Sequence, residues 1–219
     1  MKKIIYSLMA FALLGAVSCE SMLDIPKKGA VAYETYYASD ADAEAAITSM
    51  YANFVQQVAG TEGIDNPEQV MLNYAADDIM AAGGNPADHA PFRYFCEFTY
   101  DNANGTLKEA YQRYMFAIYH ANLVISNFTN ENKLKADPKH TSAFTEQAVA
   151  EARVMRAYLH MMLALSWNRP PIVDRLQEGD DLPTNAESQE QVLQWVIDEC
   201  EKAISSGKLP VRNGTGDKG

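Results

Sequence analysis

Residues 150–173 read AEARVMRAYLHMMLALSWNRPPIV, and this stretch decides the fold because it carries a helical pattern that ends abruptly. Its large apolar side chains recur every three or four residues, which predicts an amphipathic α-helix with one face in a core. The pattern stops at Pro170-Pro171, since a proline cannot continue a helix. The segment therefore predicts a helix from about Thr141 to Ser166, followed by a break. The predicted apolar face consists of Phe144, Ala148, Met155, Tyr158, Leu159, Met162 and Leu163.

The same spacing recurs on both sides of this stretch and predicts four further helices. The first begins at Ser39 or Asp40, the second runs from Pro67 to Gly83-Gly84, and the third from Thr106 to Asn127. The last begins at the capping-box pattern Ser188–Gln191 and ends at Gly207. The third has an apolar face of Leu107, Tyr111, Tyr114, Met115, Ile118, Tyr119 and Leu123. We therefore predict an all-α fold of antiparallel helix pairs, a tetratricopeptide-like scaffold without a strict repeat period.

A long inserted loop, residues 83–105, separates two of these helices and is rich in aromatic residues. Loops of this length inside a domain are often functional. Its segment FRYFCEFTY (92–100) alternates weakly, which favours a short strand. Sugars stack their C–H faces on aromatic rings and hydrogen-bond to polar side chains, so the loop is a candidate glycan site; packing of the rings onto the helices is the alternative. The candidate ligand residues are Phe92, Arg93, Tyr94, Phe95, Tyr100 and Asn102.

The N-terminus has the pattern of a bacterial lipoprotein signal. Lys2 and Lys3 precede an apolar run that is short for a membrane span, and small residues then lead into Cys19. We predict that residues 1–18 are a signal peptide and that Cys19 is lipidated; an ordinary secretory signal with an incidental cysteine is the alternative. Residues 19–38 are predicted to be a tether, and residues 39–219 the helical domain.

Composition and missing motifs exclude several classes of protein. The net charge of -11, without a basic run, argues against binding to nucleic acid. The chain lacks the sequence motifs of serine hydrolases, P-loop proteins and dinucleotide-binding proteins, and no Cys/His cluster suggests zinc. Adjacent residues such as Asp77-Asp78 point about a quarter turn apart on a helix, which does not indicate a glycosidase pair. DNANG (101–105) has Ala103 where a calcium loop needs a ligand and lacks the bidentate glutamate. Free thiols are favoured over a disulfide for Cys96 and Cys200. We therefore predict a binding protein without enzymatic activity or cofactor.

Four segments together resemble the N-terminal part of the SusD/RagB family. MLDIPKKGAVAYETYYASDADAEAAITSMYANF (22–54) resembles the opening of the family after its lipidated cysteine. YQRYMFAIYHANLVISNF (111–128) resembles a family helix, with Asn122 in the matching place. The stretch at 150–173 is the most specific match, although Trp167-Asn168-Arg169 replaces the Tyr-Gly-Asp turn of the family. QVLQWVIDECEKAISSGKLP (191–210) resembles the helix that follows.

The resemblance implies a location and a role. Family members are outer-membrane lipoproteins, exposed at the cell surface, that bind oligosaccharides or starch-like polysaccharides and work with a SusC-like, TonB-dependent transporter. It also implies that residues 39–219 are an incomplete domain, continued at the C-terminus in typical members. The alternatives are a tetratricopeptide-like scaffold for protein partners and a surface lipoprotein that captures peptides.

Overall fold

The computed structural model describes residues 40–59, 72–76, 79–81, 83–85, 87–88, 90–129, 142–177, 179 and 182–209. All of these belong to one structural unit, Glu34–Gly219. The predicted signal peptide and tether, Cys19 and Asp77-Asp78 lie outside the described residues. Five helices occur in the described part: α1 Asp40–Ala59, α2 Ala90–Cys96, α3 Gly105–Thr129, α4 Ser142–Trp167 and α5 Gln189–Ser205.

These helices form the predicted all-α scaffold. Helix α4 lies between α3 and α5, and α3 also packs on α1. Within the described ranges no strand is formed, and the one β-type contact is an isolated bridge between Pro171 and Asn185. The predictions for α1, α3, α4 and α5 are confirmed, and the prediction of an all-α fold with them.

Two local predictions are wrong. The second predicted helix does not continue to Gly83, because residues 74–76 form a turn and a bend after the π-helical residues 72 and 73, and residues 79–81 are not helical. Its predicted start, residues 67–71, lies outside the described residues. The segment FRYFCEFTY does not form a strand, because most of it lies in the short helix α2. The aromatic residues of α2 favour strands by propensity, but burial of Phe95, 2% exposed, rewards the helical arrangement.

Small residues allow the long helices to approach closely. Ala110, Ala117 and Ala121 are buried on α3, and alanines on α4 are buried opposite them. One apolar cluster joins α1, α3 and α4 around Met50 and Val124. A second joins α2, α3, α4 and the segment after α4; its buried members are Phe95, Ala110, Tyr114, Ala117, Ile118, Leu159, Met162, Leu163 and Val173.

The predicted apolar faces of α3 and α4 are largely correct where their side chains are described, with one clear exception. Tyr119 was placed on the buried face of α3, but its side chain is 48% exposed. The buried face is centred on Tyr114, Ile118 and Ile125, and Tyr119 lies about 100° around the helix from its neighbour Ile118. The apolar spacing alone could not exclude it, because Tyr119 is one turn from Met115.

Helix α5 begins and ends as its sequence predicts. The Ser188 hydroxyl accepts a hydrogen bond from the Gln191 backbone N–H at 3.2 Å, which is the first half of the capping box. The Gln191 side chain reaches back to the backbone N–H of Glu187, at 2.7 Å, rather than to that of Ser188. Gly207 follows the helix with a φ of 64°, the left-handed conformation that glycine favours.

Helix α4 ends in a turn that requires a left-handed residue. Asn168 has a φ of 65°, and its backbone N–H still bonds to the carbonyl of Ala164 at 2.9 Å. Among non-glycine residues, asparagine adopts this conformation most easily, whereas a β-branched residue is strained there. Asn168 therefore suits the left-handed position at which α4 ends.

Substitution of Asn168 tests this turn. We expect Asn168→Val to lower the free energy of unfolding by about 1–2 kcal/mol, because valine is strained at positive φ. Asn168→Gly should change it by less than about 0.5 kcal/mol. Urea denaturation of the two variants beside the unaltered protein measures both effects. Equal stability of the valine and glycine variants would show that the left-handed turn is not maintained in solution.

Candidate functional site

The segment that carries the predicted ligand residues is anchored to the core by two of its own rings. Phe95 is buried in the second apolar cluster, and its ring stacks on Tyr100 with centroids 4.6 Å apart. Phe92 is partly buried and stacks on Tyr74 at 5.7 Å. The Phe95 ring therefore lies where a ligand cannot reach it. Phe95, and most of the Phe92 ring, pack onto the helices, which is the alternative to a glycan-binding role.

Other rings of the same segment face solvent. Tyr94 is 38% exposed and Tyr100 is 42% exposed. The Arg93 guanidinium lies 5.6 Å from the centre of the Tyr94 ring and pairs with Glu97 at 3.2 Å. Phe98 is also exposed, and its φ of 52° is unusual for a bulky residue. Within α2, Phe95 is therefore buried and anchors the helix, whereas the neighbouring Tyr94 is exposed.

Local hydrogen bonds fix the loop between α2 and α3. The Asp101 carboxylate accepts from the backbone N–H of Ala103 at 2.9 Å, and the Asn104 amide oxygen accepts from that of Thr106 at 3.0 Å. The Asn104 side-chain NH₂ also donates to the carbonyl of Pro91 at 3.2 Å, which ties α2 to the start of α3. The Asp101 carboxylate and the Asn104 amide thus stabilise the turn and the start of α3. Asn102 lies between them at the exposed tip of the loop.

A shallow groove of about 430 Å³ lies beside this loop. It joins the loop to α3 and to the end of α4 and is lined by Asn102, Leu107, Lys108, Tyr111, Gln112 and Trp167. The Trp167 ring meets Tyr111 edge to face at 5.4 Å. Burial raises the pKa of the Tyr111 hydroxyl above its usual value. Of the predicted ligand residues, Asn102 alone borders this groove.

Sequence reasoning missed most of this groove. Trp167 was considered only as a departure from a family turn, and Tyr111 only as a residue of the buried face of α3. The one available signal was the helical spacing of residues 107, 108, 111 and 112, which places them on adjoining positions of one helix surface. Nothing in the sequence indicated that the end of α4 would meet them.

Comparison with known proteins supports one assignment. No protein-family model matches the chain. A curated SusD-like protein from Bacteroides ovatus is 24% identical over 200 residues, which cover 89% of this chain and 33% of that protein. A solved laminarin-binding SusD-like protein superimposes with a TM-score of 0.69 at 20% identity, over 84% of this chain and 37% of its own. The chain therefore resembles SusD-like proteins in fold, and in sequence at 24% identity.

A further solved structure shares this fold. Surface glycan-binding protein A from Bacteroides uniformis has a TM-score of 0.67 at 17% identity, over 82% of this chain and 37% of that one. The chain spans about one third of the length of the proteins that it matches. The predicted SusD/RagB resemblance is confirmed, and the activity of the longer proteins enters below as a proposal.

A buried polar network joins the middle of α4 to α3, to α5 and to the segment that follows α4. The Arg156 guanidinium donates to the Asn122 amide oxygen and to the carbonyl of Asp174, each at 2.6 Å. It also donates to the Glu199 carboxylate. The Asn122 NH₂ donates to the carbonyls of Val173 and Arg175, at 3.0 and 3.1 Å. Side chains of α3 and α4 therefore hydrogen-bond to the backbone of residues 173–175, and Glu199 of α5 binds the Arg156 guanidinium that does so.

Glu199 is the only acidic residue among the buried polar residues of the described part of the chain, at 1% exposed. Arg153 and Lys202 donate to it at 3.0 and 2.9 Å, in addition to Arg156. Burial opposes ionisation, but the hydrogen bonds from Arg156 and Lys202 outweigh it and hold the pKa of Glu199 below its usual range. The carboxylate is therefore ionised at neutral pH and acts as the centre of the network.

His160 joins the same network in its neutral form. Its Nε2 accepts from the Val173 backbone N–H at 3.0 Å, so the proton resides on Nδ1 and donates to the Arg156 carbonyl at 2.8 Å. Burial lowers the pKa of His160 to about 4. The Trp195 ring lies 4.5 Å from the imidazole and 5.4 Å from the Arg156 guanidinium. With both ring nitrogens bonded to backbone groups and the ring packed on Trp195, His160 is a structural residue of the network.

The remaining candidate groups carry no reactive arrangement in the described ranges. Cys96 and Cys200 are free, half-buried thiols, as predicted. The Cys96 Sγ accepts from the Ala81 backbone N–H at 3.2 Å. Over the described ranges, no cluster of His, Cys, Asp and Glu is arranged to hold a metal ion. None of the described helices combines the length and apolarity needed to cross a bilayer.

Proposed function

We propose that this protein binds glycan at the cell surface without enzymatic turnover. The observation that carries the proposal is the pair of exposed tyrosines, Tyr94 and Tyr100, on a segment whose Phe95 ring is fixed in the core. Rings held in this way lose little conformational freedom when they bind a ligand, so stacking on a sugar face is favourable. Asn102 and Arg93 add hydrogen-bond donors beside the rings.

The relatives favour a glycan over other ligands. One solved SusD-like relative is described as laminarin-binding, and two others are described as surface glycan-binding proteins. A polysaccharide offers many C–H faces and hydroxyls, which suit exposed aromatic rings with hydrogen-bond donors beside them. A starch-like or laminarin-like polysaccharide is therefore the first ligand class to test at Tyr94 and Tyr100.

We further propose that the protein is anchored by lipid at Cys19 and works beside a SusC-like, TonB-dependent transporter in the outer membrane. The support is the lipoprotein pattern of residues 1–19 and the SusD-like character of the helical domain. Acyl chains contribute about 0.8 kcal/mol of membrane affinity per buried methylene, so two or more chains anchor a protein stably. Palmitate labelling that persists in a Cys19→Ala variant would contradict the anchor.

Glycan binding is tested by removing the exposed rings. We expect Tyr94→Ala with Tyr100→Ala to weaken binding to the preferred polysaccharide about tenfold or more, since each ring contributes roughly 0.5–1.5 kcal/mol. Affinity electrophoresis on a panel of amylose, laminarin and polygalacturonate identifies the polysaccharide and measures the loss.

The matched control for this test is Tyr119→Ala, which removes an equally exposed tyrosine from α3. It should leave glycan affinity unchanged. Binding that survives loss of both Tyr94 and Tyr100 would contradict their role. Absence of binding to any polysaccharide would favour the alternatives of a protein-interaction scaffold or a peptide-capturing lipoprotein.

A further inference from the structure

Lys108 stands apart from the other cationic side chains of the described chain. The remaining described Lys and Arg side chains each pair with a carboxylate or, for Arg169, donate to a backbone carbonyl. Within the described residues, the Lys108 ammonium makes neither an ion pair nor a hydrogen bond. An ammonium without a partner is available for an anionic ligand, and Lys108 lines the groove beside the aromatic loop.

The rest of the groove has the chemistry of a sugar site. Asn102 and Gln112 border it, and neither side chain makes a hydrogen bond to another described residue. The same is true of the Tyr111 hydroxyl, which is half-buried. Trp167, held edge to face by Tyr111 and Tyr114, supplies an aromatic surface fixed by its neighbours. Unused polar groups around fixed rings match the hydroxyls and C–H faces of a sugar ring.

We propose that this groove binds an acidic sugar residue, with its carboxylate on the Lys108 ammonium and its ring against Trp167 and Tyr111. The proposal rests on the proposed glycan-binding function and assigns a charged residue to the captured glycan. The nearby Glu109 carboxylate is paired with Arg113, so it does not compete strongly for the Lys108 ammonium. The volume of about 430 Å³ lies in the range of small-molecule sites.

The expected preference is modest because Lys108 is exposed to solvent. An exposed ion pair changes affinity by about two- to fivefold, and salt weakens it. The test compares tetragalacturonate with its fully methyl-esterified form, which keeps the rings and removes the charge. Isothermal titration of the full chain should show about two- to fivefold tighter binding of the acid, with a smaller difference at high salt.

Two variants assign the preference to this groove. Lys108→Met should bind the acid and the ester equally well. Lys208→Met removes an exposed lysine at the far end of α5 and should keep the preference of the unaltered protein. Equal affinity of the unaltered protein for acid and ester, or an unchanged preference in Lys108→Met, would overturn the proposal.

The outcomes also separate this inference from the proposed function. If neither galacturonate probe binds, while amylose or laminarin binds through Tyr94 and Tyr100, the acidic-sugar groove is wrong and glycan binding stands. If no polysaccharide or galacturonate probe binds at all, both proposals fail. If tetragalacturonate binds more tightly than its ester and Lys108→Met abolishes the difference, both are supported.

Discussion

Replacement of Arg156 by methionine is expected to lower the free energy of unfolding by about 3–5 kcal/mol, because it breaks a buried ion pair from one side. The Glu199 carboxylate would remain buried with one fewer hydrogen bond. The Asn122 amide oxygen and the Asp174 carbonyl would lose the same donor. Urea denaturation monitored by tryptophan fluorescence measures the change, since Trp195 lies beside the guanidinium.

A double-mutant cycle shows whether the loss comes from the network. We expect Glu199→Met to be similarly destabilising, and Arg156→Met with Glu199→Met to be less destabilising than the sum of the two single changes. Arg113→Met is the matched control, because it breaks an ion pair between neighbouring turns of α3 whose Glu109 partner is exposed, and methionine keeps the packing of the half-buried stem; it should cost about 0.5 kcal/mol or less. Strict additivity at Arg156 and Glu199, or an effect no larger than that of Arg113→Met, would contradict the network.

The network matters for the candidate site because it fixes part of the same core. Val173, whose backbone bonds to His160 and Asn122, belongs to the apolar cluster that also contains Phe95. Phe95 in turn holds α2 and therefore the exposed Tyr94. If residues 173–175 become less ordered, Phe95 loses packing partners and holds α2 less firmly. The Arg156 variant should therefore also bind glycan less tightly.

The four long helices could be predicted because the signal that specifies them is local. Apolar residues repeat along one face of α1, α3, α4 and α5, and prolines or glycines mark several of their ends. Helix α2 was not predicted, because seven residues are too few for a periodic signal and its aromatic residues also suit a strand. Its conformation depends on Phe95 entering a core built by α3 and α4, which is a tertiary effect.

The candidate site could be located from sequence but not resolved into its parts. The density of aromatic residues indicated the segment, yet Tyr94 and Phe95 look equivalent in sequence while one is exposed and the other buried. The helical twist between them decides this, and it follows from α2. Similarly, Trp167 of α4 lines the same groove as Asn102 and Lys108 only because α4 packs on α3, which the sequence does not indicate.

Acidification is expected to destabilise the protein through His160. Burial lowers its pKa in the folded state to about 4, against about 6.5 in the unfolded chain. Between these values the unfolded state binds more protons, so stability is full above pH 6.5 and falls as the pH decreases toward 4. The complete loss from this residue is about 3 kcal/mol. Urea denaturation at pH 7 and pH 4.5 measures most of it.

His160→Gln distinguishes this effect from the general response to acid. Glutamine can replace both hydrogen bonds but does not titrate, so the variant should lose most of the difference between pH 7 and pH 4.5. The pKa of half-buried His120 is also lowered by burial, and His120→Gln should reduce the difference much less because solvent reaches that ring. The charged groups that act on His160 are Arg156, Glu199 and Asp174. The pKa of Glu199 lies below its usual range, so that carboxylate stays ionised over most of the interval from pH 7 to pH 4.5. A His160→Gln protein with the full original pH dependence would place the acid-sensitive group elsewhere.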